Sequence, residues 1–215
     1  TIAVTARLGF WQLERAHQKE VLQAQYERMR RAPPAELHGA DAHAERYQRV
    51  SVIGEFDHRY EILLDNQLNE GMAGYHVLTP LRIATGGKLV MVNRGWINRS
   101  REYPSEPLIQ KEFGAVTVSG IVDRSDRSML ELSTETVQGK VWQNFTAQRF
   151  RERTGVELLP LVVLQQGGDA QGLVRVKAEP DFGILRHYGY AVQWFALAAT
   201  TLVLYVVLKF KRNRV

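Results

Sequence analysis

The 215-residue chain contains no cysteine. This absence excludes disulfides, thiolate metal sites, thiol redox chemistry and the carriage of copper through paired cysteines. A basic surface stripe is lacking as well. The net charge is +5, and four of the cations, Lys209, Lys211, Arg212 and Arg214, lie at the extreme C-terminus. Because the rest of the chain is nearly neutral, we do not expect a nucleic-acid partner.

Motifs of common enzyme classes are also missing. Gly86-Gly87-Lys88 resembles the end of a phosphate-binding loop, but Arg82 stands where that motif needs its first glycine. The sequence has neither a Gly-x-Ser-x-Gly elbow nor a His-Glu-x-x-His pair. We therefore do not expect an enzyme. A membrane-anchored hydrolase would require a pocket around His76 or Asp123.

What the chain does contain is a long uncharged run near its C-terminus. Residues 189–208 carry no charge, and a helix of that length covers roughly 30 Å, the thickness of a bilayer's hydrocarbon core. The cluster of Lys and Arg that follows at once is typical of the cytoplasmic end of a span. We predict a transmembrane helix over residues 187–208 and a basic cytoplasmic tail over residues 209–215.

The N-terminal segment predicts part of another span. Residues 1–13 are mostly apolar, and Arg15 and Lys19 follow them. Thirteen residues are too few to cross a bilayer, so we interpret them as the outer end of a truncated first transmembrane helix. Residues 14–34 predict its helical extension. Arg7 would lie within the bilayer, where it either snorkels to the headgroups or has a functional partner.

Between these spans, residues 35–186 predict a β-rich extramembrane domain. Apolar and polar residues alternate in short runs, which is the period of a half-buried strand, and Gly86-Gly87 predicts a hairpin turn. The predicted strands cover residues 47–56, 61–68, 74–83, 88–97, 116–122, 158–164 and 173–177, and a short helix covers residues 146–154. This order favours a mainly antiparallel sheet in a barrel-like α+β domain.

Three residues are candidates for binding a ligand. His187 lies just before the second span, and a neutral imidazole is a good ligand for haem iron. Trp194 is seven positions further on and shares a helical face with His187. An interfacial histidine in an aromatic belt is the alternative from the residues alone. Arg94 either pairs with a carboxylate of the domain or contacts a haem propionate, and the neighbouring Gly95 permits close backbone approach.

Four segments spread over nearly the whole chain carry a family resemblance. They are residues 8–13 (LGFWQL) with Arg15, residues 71–81 (GMAGYHVLTPL), residues 92–97 (VNRGWI) and residues 187–195 (HYGYAVQWF). Together, in this order and with two flanking spans, they resemble the surfeit locus protein one family, and specifically its bacterial members. That family comprises membrane-anchored assembly factors of haem-copper cytochrome c oxidase.

The resemblance implies a protein that binds haem a and assists its insertion into oxidase subunit I. His187 is the implied axial iron ligand and Trp194 a matching haem contact, with Arg94 as a further candidate. Copper, zinc and catalysis are not expected. The alternative is a scaffold that binds no haem and stabilises a subunit I intermediate. The expected partners are subunit I, haem a synthase, other assembly factors and the lipid bilayer.

The resemblance also implies a location. We expect the inner membrane of a bacterium, with the β-rich domain in the periplasm and both termini in the cytoplasm. The mitochondrial inner membrane, with the domain in the intermembrane space, is the alternative.

Overall fold

A computed structural model describes residues 2–39, 44–99, 107–124, 137–176 and 182–212. The tail residues 213–215 and the last residue of the predicted strand 173–177 lie outside the described residues. The chain divides into two compact units. One comprises Thr1–Arg28 and Glu179–Val215 and is called the helical unit below. The other, Met29–Ala178, is called the β unit.

The described residues form three α-helices and nine strands. The helices are α1 (Ile2–Arg31), α2 (Ala147–Thr154) and α3 (Ile184–Arg212). The strands are β1 (Ala35–Glu36), β2 (Arg49–Phe56), β3 (Ile62–Asn69), β4 (Met72–Ile83), β5 (Leu89–Asn98), β6 (Ala115–Arg124), β7 (Val137–Gln138), β8 (Val141–Trp142) and β9 (Leu158–Gln165). A single 3-10 turn covers His58–Tyr60.

The strands of the β unit close into a barrel. The sheet runs in the order β1-β2-β6-β9-β5-β4-β3-β8-β7, and the end of β4 also pairs with β2, Gly54 opposite Ile83. This extra pairing joins β2, β6, β9, β5 and β4 into a ring. Pairing is mostly antiparallel, but β9 runs parallel to β5, β1 to β2 and β8 to β3.

Alternation along β5 separates two of the three apolar clusters described in the β unit. On β5, Val90 and Val92 belong to the cluster that also contains Val50 and Phe56 of β2. Leu89 and Met91, on the opposite face of β5, belong to a second cluster with Phe150 of α2. Because β5 is covered on both faces, it is apolar without interruption from Leu89 to Val92, as expected for a central strand.

Helix α2 covers the second cluster and has well-defined ends. Thr146 caps it, since the backbone N–H of Arg149 donates to Thr146 Oγ1 over 3.1 Å. Gly155 ends it in the left-handed region at φ 69°. Phe150, the buried residue of α2, has its ring centroid 6.1 Å from that of Tyr60 and 6.3 Å from that of Trp142. The helix thus buries one aromatic side chain against the outside of the sheet.

The structure confirms the barrel-like sheet and corrects details of it. The strand expected at residues 173–177 is reduced to a bridge between Val174 and Trp96. A turn precedes this bridge, where Gln171 and Gly172 both have positive φ. The two-residue strands β1, β7 and β8 were not predicted, because segments so short show no period.

The helical unit contains one helix long and apolar enough to cross a membrane, among the described residues: α3. Its large apolar side chains from Leu202 to Leu208 are exposed, and Lys209, Lys211 and Arg212 occupy its last turn. This helix indicates association with a membrane. A second span within α1 stays a prediction, since α1 is rich in charged residues beyond Leu13.

Candidate functional site

In the helical unit, α1 and α3 contact each other through one stripe on each helix. The buried residues on α1 are Thr5, Gly9, Gln12, Ala16 and Tyr26, and those on α3 are Ala191 and Ala198. The first four are spaced by four, three and four positions, so they lie on one face of α1. Small residues on such a face let two helices approach closely, as is usual between helices in a membrane.

Phe195 marks the closest point of this contact. Its ring lies against the backbone of Gly9, where an added Cβ would be only 2.7 Å from the ring atoms Cε1 and Cζ. The same ring meets the edge of Phe10, with centroids 5.2 Å apart and an angle of 79° between the planes. A side chain at position 9 would therefore displace the Phe195 ring or push the two helices apart.

His187 lies on the face of α3 that is turned toward α1. Its Nδ1 atom is 2.8 Å from Oε1 of Gln12. Tyr188, the next residue, donates its hydroxyl hydrogen to Glu20 Oε1 over 2.7 Å. Among the described residues, His187 Nε2 has no hydrogen-bond partner. The imidazole is thus hydrogen-bonded through Nδ1, and Nε2 is available to a ligand.

Trp194 lies on the same face of α3 as His187 and is half-buried. The sequence predicted this shared face from the spacing of the two residues. It did not identify Gln12 as the partner of His187, or Phe195 as the aromatic contact to α1. One sequence feature could have pointed to these two residues. Gln12 and Phe195 both lie in segments that carry the family resemblance.

Arg94, the third candidate, belongs to the β unit, where it sits at a β-bulge. Val77 of β4 pairs with Gly95 of β5, and Leu78 pairs with Asn93, so Arg94 has no partner across the ladder. Gly95 adopts φ 147°, and an added Cβ there would be 2.8 Å from the carbonyl oxygen of Val174. A bulge re-aims the side chain of its extra residue, and here it directs Arg94 into the domain.

The Arg94 side chain is 2% exposed, and both of its terminal nitrogens have hydrogen-bond partners in the β unit. Nη1 donates to Glu61 Oε2 over 3.3 Å, and Nη2 donates to the Gln110 carbonyl over 2.9 Å and to Gln171 Oε1 over 2.7 Å. Its Cζ atom also lies 5.2 Å from the ring centroid of Phe56. The sequence left a domain carboxylate and a haem propionate open as partners of Arg94, and the structure shows the contact with a domain carboxylate, Glu61.

Glu61 Oε2 is the centre of this buried polar cluster. It also accepts the Thr79 hydroxyl hydrogen over 3.1 Å and lies 3.3 Å from His58 Nδ1. His58 Nε2 donates to the Glu112 carbonyl over 2.6 Å. Burial lowers the pKa of Arg94, while the negative charges of Glu61 and Glu112 oppose that shift. The arrangement is that of a satisfied structural network.

The two residues considered for a hydrolase lie on different strands of the β unit, β4 and β6. His76 is half-buried on β4 opposite Trp96, and burial lowers its pKa to about 4. Asp123 on β6 accepts a hydrogen bond from Arg46 Nε over 3.0 Å. Across the described ranges there is also no group of three His, Cys, Asp or Glu side chains that could hold a metal ion.

The fold and the apolar helix α3 define the class of the protein. It is a membrane-associated protein with a closed β-barrel-like sheet in its β unit. The sequence profile of the SURF1 family matches residues 1–199. A SURF1-like protein of Monosiga brevicollis is 30% identical over 230 residues, which covers 97% of this chain and 84% of that protein. The chain belongs to the SURF1 family.

More distant relatives come from bacteria and vertebrates. A SURF1-like protein of Rickettsia conorii is 24% identical over 214 residues, covering 96% of this chain and 87% of that protein. Surfeit locus protein 1 of Takifugu rubripes is 25% identical over 222 residues, covering 93% and 90%. The resemblance found from the four sequence segments is thereby confirmed. At the level of the family, membership places the chain with cytochrome oxidase assembly.

Proposed function

We propose that this protein is an assembly factor for haem-copper cytochrome c oxidase that binds haem a and assists its insertion into subunit I. Haem a is the cargo of the protein and takes part in no reaction there, so we propose no catalytic activity. No role for copper or zinc is included. The proposal joins family membership to the geometry around His187.

The observation that carries the proposal is that only one of the two ring nitrogens of His187 has a hydrogen-bond partner among the described residues. Gln12 engages Nδ1, and Nε2 has no partner among the described residues. A histidine that ligates a metal usually has its other ring nitrogen hydrogen-bonded, because that contact fixes the ring orientation. His187 has such a contact on Nδ1, with Gln12.

The surroundings of His187 suit an apolar macrocycle. Trp194 shares its face, and the exposed side chain of Tyr190 is three positions from His187 on the helix. An apolar cargo tail could remain in lipid beside α3. A single protein ligand on a helix surface also allows release, which a carrier needs if subunit I is to accept the haem. The buried Arg94 contributes to the stability of the β unit in this proposal, since its Nη1 and Nη2 atoms already donate to groups of that unit.

One observation favours the scaffold alternative. The contact between His187 and Gln12 links α1 to α3, and that link alone would account for the histidine. In the scaffold alternative, the protein stabilises a subunit I intermediate through its helices and β unit without binding haem. The two functions differ in whether the purified protein carries a haem that depends on His187.

The deciding experiment is the absorption spectrum of the detergent-purified protein after co-expression with haem a synthesis. His187→Ala is compared with wild type and with His17→Ala, which removes an exposed histidine of α1. We expect a stoichiometric haem a band in wild type and in His17→Ala, and its loss in His187→Ala. A colourless wild-type protein that still supports oxidase assembly would refute the carrier and establish the scaffold.

We also propose a bacterial inner-membrane location, with the β unit in the periplasm and both termini in the cytoplasm. The basic last turn of α3 supports this orientation through the positive-inside rule. The partners in this proposal are subunit I, haem a synthase, further assembly factors and the bilayer. The alternative for this chain is the mitochondrial inner membrane, with the domain in the intermembrane space.

A further inference from the structure

We infer that Gln12 is a positioning residue, whose side-chain carbonyl holds His187 as the tautomer with its hydrogen on Nδ1 and its lone pair on Nε2. This inference rests on the proposed haem-binding function, because it assigns a role to Gln12 at that same site. It adds a residue of α1 to a site otherwise formed by α3.

The geometry of the contact leads to this assignment. The distance of 2.8 Å between Gln12 Oε1 and His187 Nδ1 is that of a hydrogen bond. A carbonyl oxygen only accepts, so the hydrogen must belong to the imidazole. A neutral imidazole carries one N–H, and placing it on Nδ1 leaves the lone pair on Nε2. This is the tautomer that offers Nε2 to iron.

The position of Gln12 makes the contact selective. Its side chain is 9% exposed, and it lies on the buried stripe of α1 between Gly9 and Ala16. Gly9 packs directly on Phe195 and Ala16 is fully buried, so the spacing of the two helices is set on both sides of Gln12. The carbonyl is therefore held in place, and water competes poorly for the Nδ1 hydrogen.

The expected effect on binding is substantial. Outer partners of metal-bound histidines fix the tautomer and raise the basicity of the ligand, and their removal typically costs about 10–100-fold in metal affinity. Gln12→Leu should lose that support while keeping the side chain close in size. Gln12→Glu keeps an acceptor at the same reach and should retain the tautomer. Gln23→Leu, at an exposed position on the same helix, is the matched control.

The first measurement is made on the haem-free protein. Side-chain ¹⁵N spectra of histidine-labelled full-length protein in detergent distinguish the two tautomers, at alkaline pH where imidazoles are neutral. The His187 signals are assigned by their loss in His187→Ala. We expect the Nδ1–H tautomer in wild type, Gln12→Glu and Gln23→Leu, and a shift toward Nε2–H in Gln12→Leu. An Nε2–H tautomer in wild type, or an unchanged tautomer in Gln12→Leu, would overturn the inference.

The second measurement is haem a titration of the same four proteins. We expect Gln12→Leu to bind about 10–100-fold more weakly than wild type, with Gln12→Glu and Gln23→Leu close to wild type. Equal affinity of Gln12→Leu and wild type would contradict a positioning role. Absence of binding in wild type, together with the expected tautomers, would refute the proposed function separately. The spectra of the haem-free protein thus distinguish a failure of the inference about Gln12 from a failure of the proposed haem binding.

Discussion

Arg94 and Glu61 form an ion pair inside the β unit, with the guanidinium Nη1 atom 3.3 Å from the carboxylate Oε2 atom. Both side chains are almost completely buried, and they come from a bulge in β5 and from the residue just before β3. Burying two charges is costly unless each has its partner and further hydrogen bonds. Here Thr79, Gln110 and Gln171 supply those bonds.

Removing one member of this pair should destabilise the β unit strongly. Arg94→Met leaves the Glu61 carboxylate buried without its partner, and we expect a loss of about 3–5 kcal/mol in the free energy of unfolding. The double variant Arg94→Met/Glu61→Leu should recover much of that loss. Urea unfolding followed by tryptophan fluorescence measures it. Arg59→Met, which removes a guanidinium that is exposed and pairs with Asp57, is the control. An equal effect of both single variants would contradict the prediction.

The stability of the β unit should depend on pH through His76. Burial lowers its pKa to about 4, whereas an unfolded chain has the ordinary value of about 6.5. Between these values the unfolded state binds more protons, so stability is fully present above pH 6.5 and falls as the pH drops toward 4. The loss amounts to roughly 3 kcal/mol by pH 4.

The check is urea unfolding of the full chain across this pH range. His76→Leu should flatten the pH dependence, while His38→Gln, at an exposed histidine, should leave it unchanged. If His76→Leu and wild type lose stability in parallel as the pH falls, another group is responsible.

Gly9→Ala should weaken the contact between α1 and α3. Its methyl group would lie 2.7 Å from the ring of Phe195, so the ring or the helix must move. Overpacking of this kind costs typically about 1–3 kcal/mol, and we expect a lower melting temperature and a weaker His187–Gln12 contact. Gly189→Ala is the matched control, because nothing lies within 4 Å of the added atom. A melting temperature for Gly9→Ala at or above that of Gly189→Ala would contradict the packing argument.

The proposed orientation predicts the side of the membrane from which single cysteines react. The chain has no cysteine of its own, so all labelling of the protein by a thiol reagent comes from the introduced cysteine. Leu108→Cys, at a side chain 99% exposed in the β unit, should react with a membrane-impermeant maleimide in intact spheroplasts. Lys211→Cys, in the last turn of α3, should react only after permeabilisation. The reverse pattern would invert the proposed topology.

The sequence predicted the long strands of the β unit well. Six predicted runs lie within two residues of β2, β3, β4, β5, β6 and β9 at each end. These strands could be predicted because apolar and polar residues alternate along a half-buried strand. Gly86 and Gly87 also mark the turn between β4 and β5, with φ of 84° and 64°. The parallel placement of β9 beside β5 was not readable, since a continuous apolar run does not specify its neighbour.

The candidate site could be predicted only in part, because the sequence shows local spacing but not contacts between distant residues. The spacing of His187 and Trp194 predicts a shared face, which is a local property of one helix. The partner of His187 is 175 positions away, and the partner of Arg94 depends on a bulge that shifts one residue in β5. Distant pairings of polar residues depend on tertiary packing and leave no period in the sequence.

The location of β9 in the barrel determines when the β unit can fold during synthesis. β9 is the last strand of the barrel in the chain, yet it fills the place between β5 and β6. Until it is available, β5 and β6 each present an unpaired edge that could bind another chain. Such long-range pairing also slows folding. A chain that stops after β6 should therefore yield an open, aggregation-prone sheet, and a nascent chain needs protection until β9 has been synthesised.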